Sequence, residues 1–262
     1  MDDLSADRER EVIVLLHGFM GSGEDWLPLI RDLQGNFLCL TPDLPGHGKN
    51  LRKEWPDGFL FPDWKTEIIA WLRKKGIRSF HLAGYSMGGR LALYIAIHHP
   101  DKVKSLILES ASPGIEDVAE RTDRLKHDLA LADQFESHPW PETLNQWYDQ
   151  VVFSGIKSHP QYRSLYQRRL NNDPQQLAAV LRGISTGLQP PLWKKLSDLK
   201  MPVMLLAGEK DPKYLRIVRQ MQQQNPEIKA VLVPGTGHNI HFEAPDALRA
   251  AFVQFLYDLK ED

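Results

Sequence analysis

Residues 84–90 read Gly84-Tyr85-Ser86-Met87-Gly88-Gly89-Arg90, and the stretches on either side decide how that run is read. Residues 79–83 before it form a short apolar segment of strand length. After it, Leu91-Ala92-Leu93-Tyr94-Ile95-Ala96-Ile97 predicts a buried helix ending near Pro100. The serine therefore falls at a sharp strand-to-helix turn, the setting that a Gly-x-Ser-x-Gly motif requires. Gly84 and Gly88 let the chain turn tightly enough to hold the hydroxyl clear of the backbone. Ser86 also stands at a helix N-terminus, where unpaired N–H groups favour developing negative charge. The plain alternative is a glycine-rich turn with an incidental serine.

Outward from this turn, short apolar runs alternate with helix-length segments. Residues 12–16, 37–41, 79–83, 105–109, 203–207 and 230–233 read as strands. Such alternation implies right-handed crossovers and a largely parallel sheet covered on both faces, an α/β architecture. In that architecture function gathers in the loops at the carboxyl ends of the strands. His17-Gly18-Phe19, the run from Asp43 to Gly48, Ser86, Asp211 and His238 all fall there. The alternation breaks between about Ser112 and Leu199, a stretch rich in aromatics and arginines with no strand signal except a possible one at 151–153. It is too long for a plain loop. Residues 112–199 are expected to form a helical cap inserted into a core made of 1–111 and 200–262.

A chain of 262 residues with 42% hydrophobic side chains has the size and composition of a globular protein with one sizeable core. Its net charge of −2, with both signs mixed along the chain, gives no footprint for nucleic acid or an anionic membrane surface. The single cysteine, Cys39, excludes an intrachain disulfide and fits a reducing compartment; in the apolar run Phe37-Leu38-Cys39-Leu40 it is expected in the core rather than in catalysis. The charged residues 1–11 lack the apolar stretch of a signal peptide, and no apolar run is long enough to span a bilayer, so a soluble cytoplasmic protein is expected. No repeat or low-complexity segment is evident.

A serine hydroxyl needs a nearby base, and that base needs a third group to fix its tautomer. Two further predicted strand ends supply candidates: Asp211 in Gly208-Glu209-Lys210-Asp211, and His238 in Gly235-Thr236-Gly237-His238. Taken singly, Asp211 could be a turn former and His238 an ordinary loop histidine. Together, in the chain order Ser, Asp, His, they predict a triad. The N–H groups of Phe19 and Met87 are the candidate oxyanion donors, the first after the opening strand and the second just beyond the serine. Arg90 lies four residues after Ser86, on the same helical face, and suits a carboxylate-bearing substrate; the bland alternative is a pairing with a structural acid.

The ten histidines raise the question of a metal, yet neither His98-His99 nor His238 with His241 has a zinc spacing, and no metal is expected. Gly21-Ser22-Gly23 and Gly46-His47-Gly48 are too short and wrongly framed for nucleotide loops.

These motifs together resemble the α/β-hydrolase superfamily. Within it, the chain is similar along nearly its whole length to the family of 2-succinyl-6-hydroxy-2,4-cyclohexadiene-1-carboxylate synthases of menaquinone and phylloquinone biosynthesis. The resemblance is carried by Leu16-His17-Gly18-Phe19-Met20-Gly21-Ser22 with Trp26, by Asp43-Leu44-Pro45-Gly46-His47-Gly48, and by the Ser86 motif with Arg90. Ser112-Pro113-Gly114, Glu120-Arg121 with Arg124, Trp147-Tyr148, Arg169-Leu170-Asn171-Asn172 and Thr186-Gly187-Leu188-Gln189-Pro190 continue it. The acid and histidine loops complete it.

The resemblance implies an elimination of pyruvate from a cyclohexene that carries a ring carboxylate, a succinyl ketone and an enolpyruvyl ether, with Ser86 as general base. It implies that Arg90, Arg124 and Arg169, assisted by Tyr85 and Trp147, bind the carboxylates of a small tricarboxylate substrate, with no cofactor, nucleic acid or membrane insertion. Arg168 adjoins Arg169, so a shift of one residue would exchange them. Ser185 stands where the family has glycine, and Tyr214 where phenylalanine is common; neither is expected to touch the chemistry. The competing readings are a serine hydrolase on the same triad, either an acyl-CoA thioesterase or a C–C bond hydrolase, and a non-catalytic binding module. The intact Ser86, Asp211 and His238 argue against the module. The oligomeric state is left open.

Overall fold

The computed structural model describes residues 10–51 and 59–261; the N-terminal run 1–9, read above as lacking a signal sequence, lies outside them. Six strands form one sheet: β1 (Glu11–Leu16), β2 (Phe37–Leu40), β3 (Phe80–Tyr85), β4 (Val103–Glu109), β5 (Val203–Gly208) and β6 (Lys229–Val233). They pair in the order β2-β1-β3-β4-β5-β6, every pair parallel. The strand segments read from the sequence coincide with these to within a few residues at each end.

Because side chains alternate across a strand, one apolar run feeds two cores. Val14, Leu16, Leu82, Leu106, Leu108 and Leu205 point to the face covered by α2 (Phe61–Lys74), α3 (Met87–His98) and α8 (Pro212–Gln224). Ile13, Leu15, Ala83, Ile107, Met204 and Leu206 point to the face covered by α1 (Leu27–Leu33) and α10 (Pro245–Glu261). The helices are cut to match. On α2, Phe61, Trp64, Ile68 and Leu72 recur at helical spacing to make one buried stripe, whereas α3 is buried from Met87 to Ala96. Fully burying a side chain of this kind is worth about 1.5–3 kcal/mol, which fixes the sheet and hence the loops at its carboxyl edge.

Between β4 and β5 lie α4 (Val118–Ser137), α5 (Trp140–Tyr148), α6 (Tyr162–Leu170) and α7 (Pro174–Ile184). Phe135, Leu144, Tyr148, Phe153, Leu165, Leu177 and Leu181 form a third apolar cluster there, closed from the sheet side by Met20 and Phe242. The possible strand at 151–153 is instead a 3-10 turn, Val151–Phe153. Three residues with no neighbouring strand cannot satisfy a ladder, and here Phe153 turns into the cluster while Val151 stays exposed. Among the described residues no helix is long and apolar enough to cross a membrane.

Candidate active site

Ser86 links β3 to α3 in a conformation that L-residues rarely adopt, φ 49° and ψ −106°. The turn is tight enough that a Cβ on Gly84 would lie 2.4 Å from the carbonyl oxygen of Gly88, so only glycine fits there. Two backbone bonds hold the strained residue: its N–H donates to the Glu109 carbonyl at 2.8 Å, and its carbonyl accepts from the Arg90 N–H at 2.9 Å.

The three residues singled out in the chain order Ser, Asp, His are linked at hydrogen-bond distance through His238. His238 Nε2 lies 3.0 Å from Ser86 Oγ, and His238 Nδ1 lies 2.9 Å from Asp211 Oδ2. A proton on Nδ1 donated to the carboxylate leaves Nε2 free to accept from the hydroxyl. Asp211 also caps α8, its Oδ1 accepting the Tyr214 N–H at 3.2 Å. Both His238 and Asp211 are buried. The imidazole is flanked by Tyr214, Tyr85 and Phe153, with ring centroids 4.7, 5.4 and 6.0 Å away.

Met87 is the first residue of α3, so its N–H has no acceptor within the helix. Phe19 follows β1, and its N–H has no hydrogen-bond acceptor among the described residues. His17, two residues earlier, serves the fold instead. Buried, it accepts the Leu44 N–H on Nε2 at 2.9 Å and donates from Nδ1 to the Gly18 carbonyl at 2.8 Å. Burial holds its pKa below the usual value, in keeping with that neutral tautomer.

Ser86, Met87, Phe19 and His238 open into a cavity of about 740 Å³ lined also by residues of α4, α5 and α7, with Trp147 and Tyr214 in its wall. Arg90 projects into it from one turn beyond the serine. The guanidinium is buried and donates to Gln189 Oε1 at 3.0 Å and to the Ile184 carbonyl at 3.2 Å, with the Phe61 ring 5.5 Å away. Every one of these partners is neutral. Burial, and next the charge of Arg124, push its pKa down to about 10. The structural acid offered as the bland alternative is therefore not among its contacts.

Arg124 also lines the cavity; its Nε is held by both Asp128 oxygens at 2.9 and 3.0 Å. A third cation, Lys213 on the first turn of α8, was not singled out from the sequence. It stands at the rim with an exposed side chain, and crowding out of water, followed by Arg124, lowers its pKa. Its signal was available: it sits two residues past the triad acid, at a strand end.

Arg169 does not line the cavity. It is buried against Asp25, with Nη2 to Oδ2 at 2.7 Å; although burial opposes its charge, Asp25 and next Tyr148 raise its pKa overall. Arg168 lies on the same carboxylate at 3.6 Å and does not reach the cavity either. Arg169 and Arg168, the two registers of the expected carboxylate contact, thus both sit on the Asp25 carboxylate and outside the lining of this cavity. Tyr85 is likewise in the layer beneath the cavity, between His238 and His241.

The two departures from the family pattern are closer to the chemistry than expected. Tyr214 is the ring nearest His238 and lines the cavity. Ser185 donates to Asp128 Oδ2 at 2.6 Å and so orients the carboxylate that holds Arg124. Cys39 is a free, half-buried thiol on β2 whose pKa burial raises to about 11, which disfavours the reactive thiolate. Among the described residues no group of three or more His, Cys, Asp or Glu is placed to hold a metal.

A serine on a strained strand-to-helix turn, backed by acid and histidine loops of a parallel sheet, defines an α/β hydrolase, and residues 11–245 match the family model described as alpha/beta hydrolase fold. Over 248 residues the chain is 36% identical to the 2-succinyl-6-hydroxy-2,4-cyclohexadiene-1-carboxylate synthase of Yersinia pestis (strain Pestoides F), covering 93% of this chain and 86% of that protein. The structure of MenH from S. aureus superimposes with a TM-score of 0.91 at 34% identity, covering 95% of this chain and 94% of that one. The chain also matches Protein PHYLLO, chloroplastic, of Arabidopsis thaliana at 31% identity; there 97% of this chain spans 16% of the plant protein's length. A thermophilic esterase from Thermogutta terrifontis, at 22% identity and a TM-score of 0.82, shares the fold. The chain belongs, within the α/β hydrolases, to the family of 2-succinyl-6-hydroxy-2,4-cyclohexadiene-1-carboxylate synthases.

Proposed function

We propose that this protein is a carbon–oxygen lyase of quinone biosynthesis that eliminates pyruvate from 2-succinyl-5-enolpyruvyl-6-hydroxy-3-cyclohexene-1-carboxylate to give 2-succinyl-6-hydroxy-2,4-cyclohexadiene-1-carboxylate. The observation that carries the reading is Arg90, a buried guanidinium bound only to neutral acceptors, in the same cavity as the Ser86–His238 pair. Burying a cation without an anion is costly, and a carboxylate of the substrate supplies the missing charge. A hydrolase acting on an uncharged acyl group has no use for it.

In this reading Ser86 Oγ removes the proton α to the succinyl ketone while His238 Nε2 takes the hydroxyl proton and Asp211 steadies the imidazolium. The Phe19 and Met87 N–H groups bind the enolate oxygen. The electron pair moves into the ring, the existing double bond shifts by one position, and the C–O bond to the enolpyruvyl group breaks, releasing the enolate of pyruvate. The enolate takes up one proton to become pyruvate, while His238 gives up the one it accepted. Arg90, Arg124 and Lys213 receive the carboxylates, with Arg124 and Lys213 nearer the surface. Residues 112–199 act as a cap, and Trp147 and Phe153 exclude water over the ring.

The test is direct. Purified protein mixed with the enolpyruvyl-cyclohexene substrate should release pyruvate in step with the absorbance of a conjugated diene, and Ser86→Ala should lose that release while still binding substrate. Near-parent turnover in Ser86→Ala would sink the assignment of the base.

A further inference from the structure

The reaction as proposed uses Ser86, His238 and Asp211, yet a second buried polar pair lies directly beneath them. Glu109, the last residue of β4, and His241, in the short helix α9 (Ile240–Glu243), are both buried. The carboxylate oxygens of Glu109 each lie 3.0 Å from His241 Nδ1, and Oε1 also accepts the His241 backbone N–H at 3.0 Å. Nδ1 facing a carboxylate must carry the proton, so one carboxylate fixes both the ring and the backbone of His241.

What the pair holds is the catalytic centre. The Glu109 backbone carbonyl is the acceptor for the Ser86 N–H at 2.8 Å. Its carboxylate grips the loop three residues past His238. The His241 ring meets the Tyr85 ring edge-on with centroids 4.6 Å apart, and Tyr85 in turn flanks His238 at 5.4 Å. Tyr85 also packs so closely on Gly18 that a Cβ there would lie 2.5 Å from its ring. Gly18 precedes the Phe19 N–H. One glutamate therefore ties the strand end that carries the serine to the loop that carries the histidine, and through His241 and Tyr85 to the oxyanion loop. The outer side of the histidine loop is braced separately by Glu243, whose carboxylate accepts the Gly237 N–H at 2.9 Å and the Asn239 N–H at 3.3 Å.

We infer that Glu109 and His241 are positioning residues that set the Ser86–His238 separation and the oxyanion geometry through Tyr85. They touch no substrate, so their effect falls on the chemical step and not on the carboxylate contacts at Arg90, Arg124 and Lys213. Misplacing reacting groups by about 1 Å costs on the order of 100-fold in rate.

This inference rests on the proposed role of Ser86 and His238, and the experiment separates the two. Pyruvate release is measured for the parent enzyme, His241→Ala, His241→Asn and Glu109→Gln, with thermal melting of each. The asparagine keeps an N–H donor near the Nδ1 position. His241→Ala and Glu109→Gln should lose about 10- to 100-fold in kcat with KM within about threefold of the parent, and His241→Asn should recover most of kcat. A folded His241→Ala enzyme with parent-like kcat overturns the inference alone. So does a loss shared equally by kcat and the melting temperature that His241→Asn fails to recover. A parent enzyme that releases no pyruvate overturns the reading of the site and this inference with it.

Discussion

Replacing Arg90 by methionine separates an arginine kept for a ligand from one kept for the fold. In the ligand-free protein its pKa lies at about 10 against an ordinary 12.5, because burial disfavours the charge. At about 1.4 kcal/mol per pH unit this corresponds to roughly 3 kcal/mol of stability that the charged guanidinium costs. The sign follows from proton binding: the unfolded chain holds this proton more tightly than the folded one, so the cost applies at neutral pH and is relieved only as pH rises past about 10. Set against it are two hydrogen bonds, to Gln189 Oε1 and the Ile184 carbonyl, whose acceptors methionine leaves unpaired at about 1–3 kcal/mol each. The two effects are of similar size. Arg90→Met should therefore change the stability of the ligand-free protein by less than about 2 kcal/mol in urea unfolding.

Its activity should behave quite differently. If a substrate carboxylate supplies the counter-charge, removing Arg90 leaves that carboxylate buried without a partner, at about 3–5 kcal/mol. That is a loss of roughly 100-fold or more in kcat/KM for pyruvate release. Arg90→Lys keeps the charge but not the planar fork and should recover little. The reasoning is refuted by the inverse pattern, a variant destabilised by more than about 3 kcal/mol whose kcat/KM stays within about threefold of the parent.

Arg169 should give that inverse pattern: Arg169→Met removes the shorter of the two arginine contacts of buried Asp25, leaving Arg168 at 3.6 Å, and should cost up to about 3–5 kcal/mol of stability, read by urea unfolding. Although burial pushes the Asp25 carboxyl up, Arg169 outweighs it and holds it at about 2, against 3.8, so the pair contributes about 2 kcal/mol that is present above pH about 4 and lost as pH falls through about 2. A double variant, Asp25→Asn with Arg169→Met, should lack that acid-side slope in melting temperature. Lys213→Met should raise KM by about tenfold with a smaller change in kcat, as expected of a cation at the cavity rim; an unchanged KM would remove it from the binding set. Gly84→Ala forces a Cβ to 2.4 Å from the Gly88 carbonyl and should cost about 1–3 kcal/mol and disturb Ser86, so parent-like melting together with parent-like kcat would contradict the tight-turn account.

The sheet and the meeting of Ser86, His238 and Asp211 were legible in the sequence for physical reasons. A parallel strand buried on both faces must be apolar nearly throughout, so β5 and residues 12–16 of β1 appear as continuous apolar runs and β3 as one broken at His81, a pattern that no amphipathic helix would produce. Once the strands are placed, their carboxyl ends are fixed, and Ser86, Asp211 and His238 are the residues of triad chemistry found there. The 151–153 run misled because a short stretch of Val and Phe carries the same local preference in a strand and in a turn beside an aromatic cluster. Only a neighbouring strand decides between the two, and neighbours are not local information.

Charge pairing was illegible for the same reason, taken further. Arg90 and Arg169 look alike as candidates: both sit on helices, near glycines or asparagines, in stretches that resemble one family. What separates them is Asp25, 144 residues away from Arg169 in the chain, which reaches it at 2.7 Å, while among the described residues no carboxylate hydrogen-bonds Arg90. Burial makes that difference decisive. A buried cation with an internal anion is already compensated; one facing neutral acceptors across a cavity is the one that an anion from outside would stabilise, as the proposed function has it for Arg90. Arg124 stands between these cases, its Nε held by Asp128, itself oriented by Ser185. The charges thus form a gradient from Arg169, fully committed to the fold, through Arg124 to Arg90. In the proposed reading that gradient, more than the number of arginines, is what would let the cavity around Ser86 take several carboxylates at once.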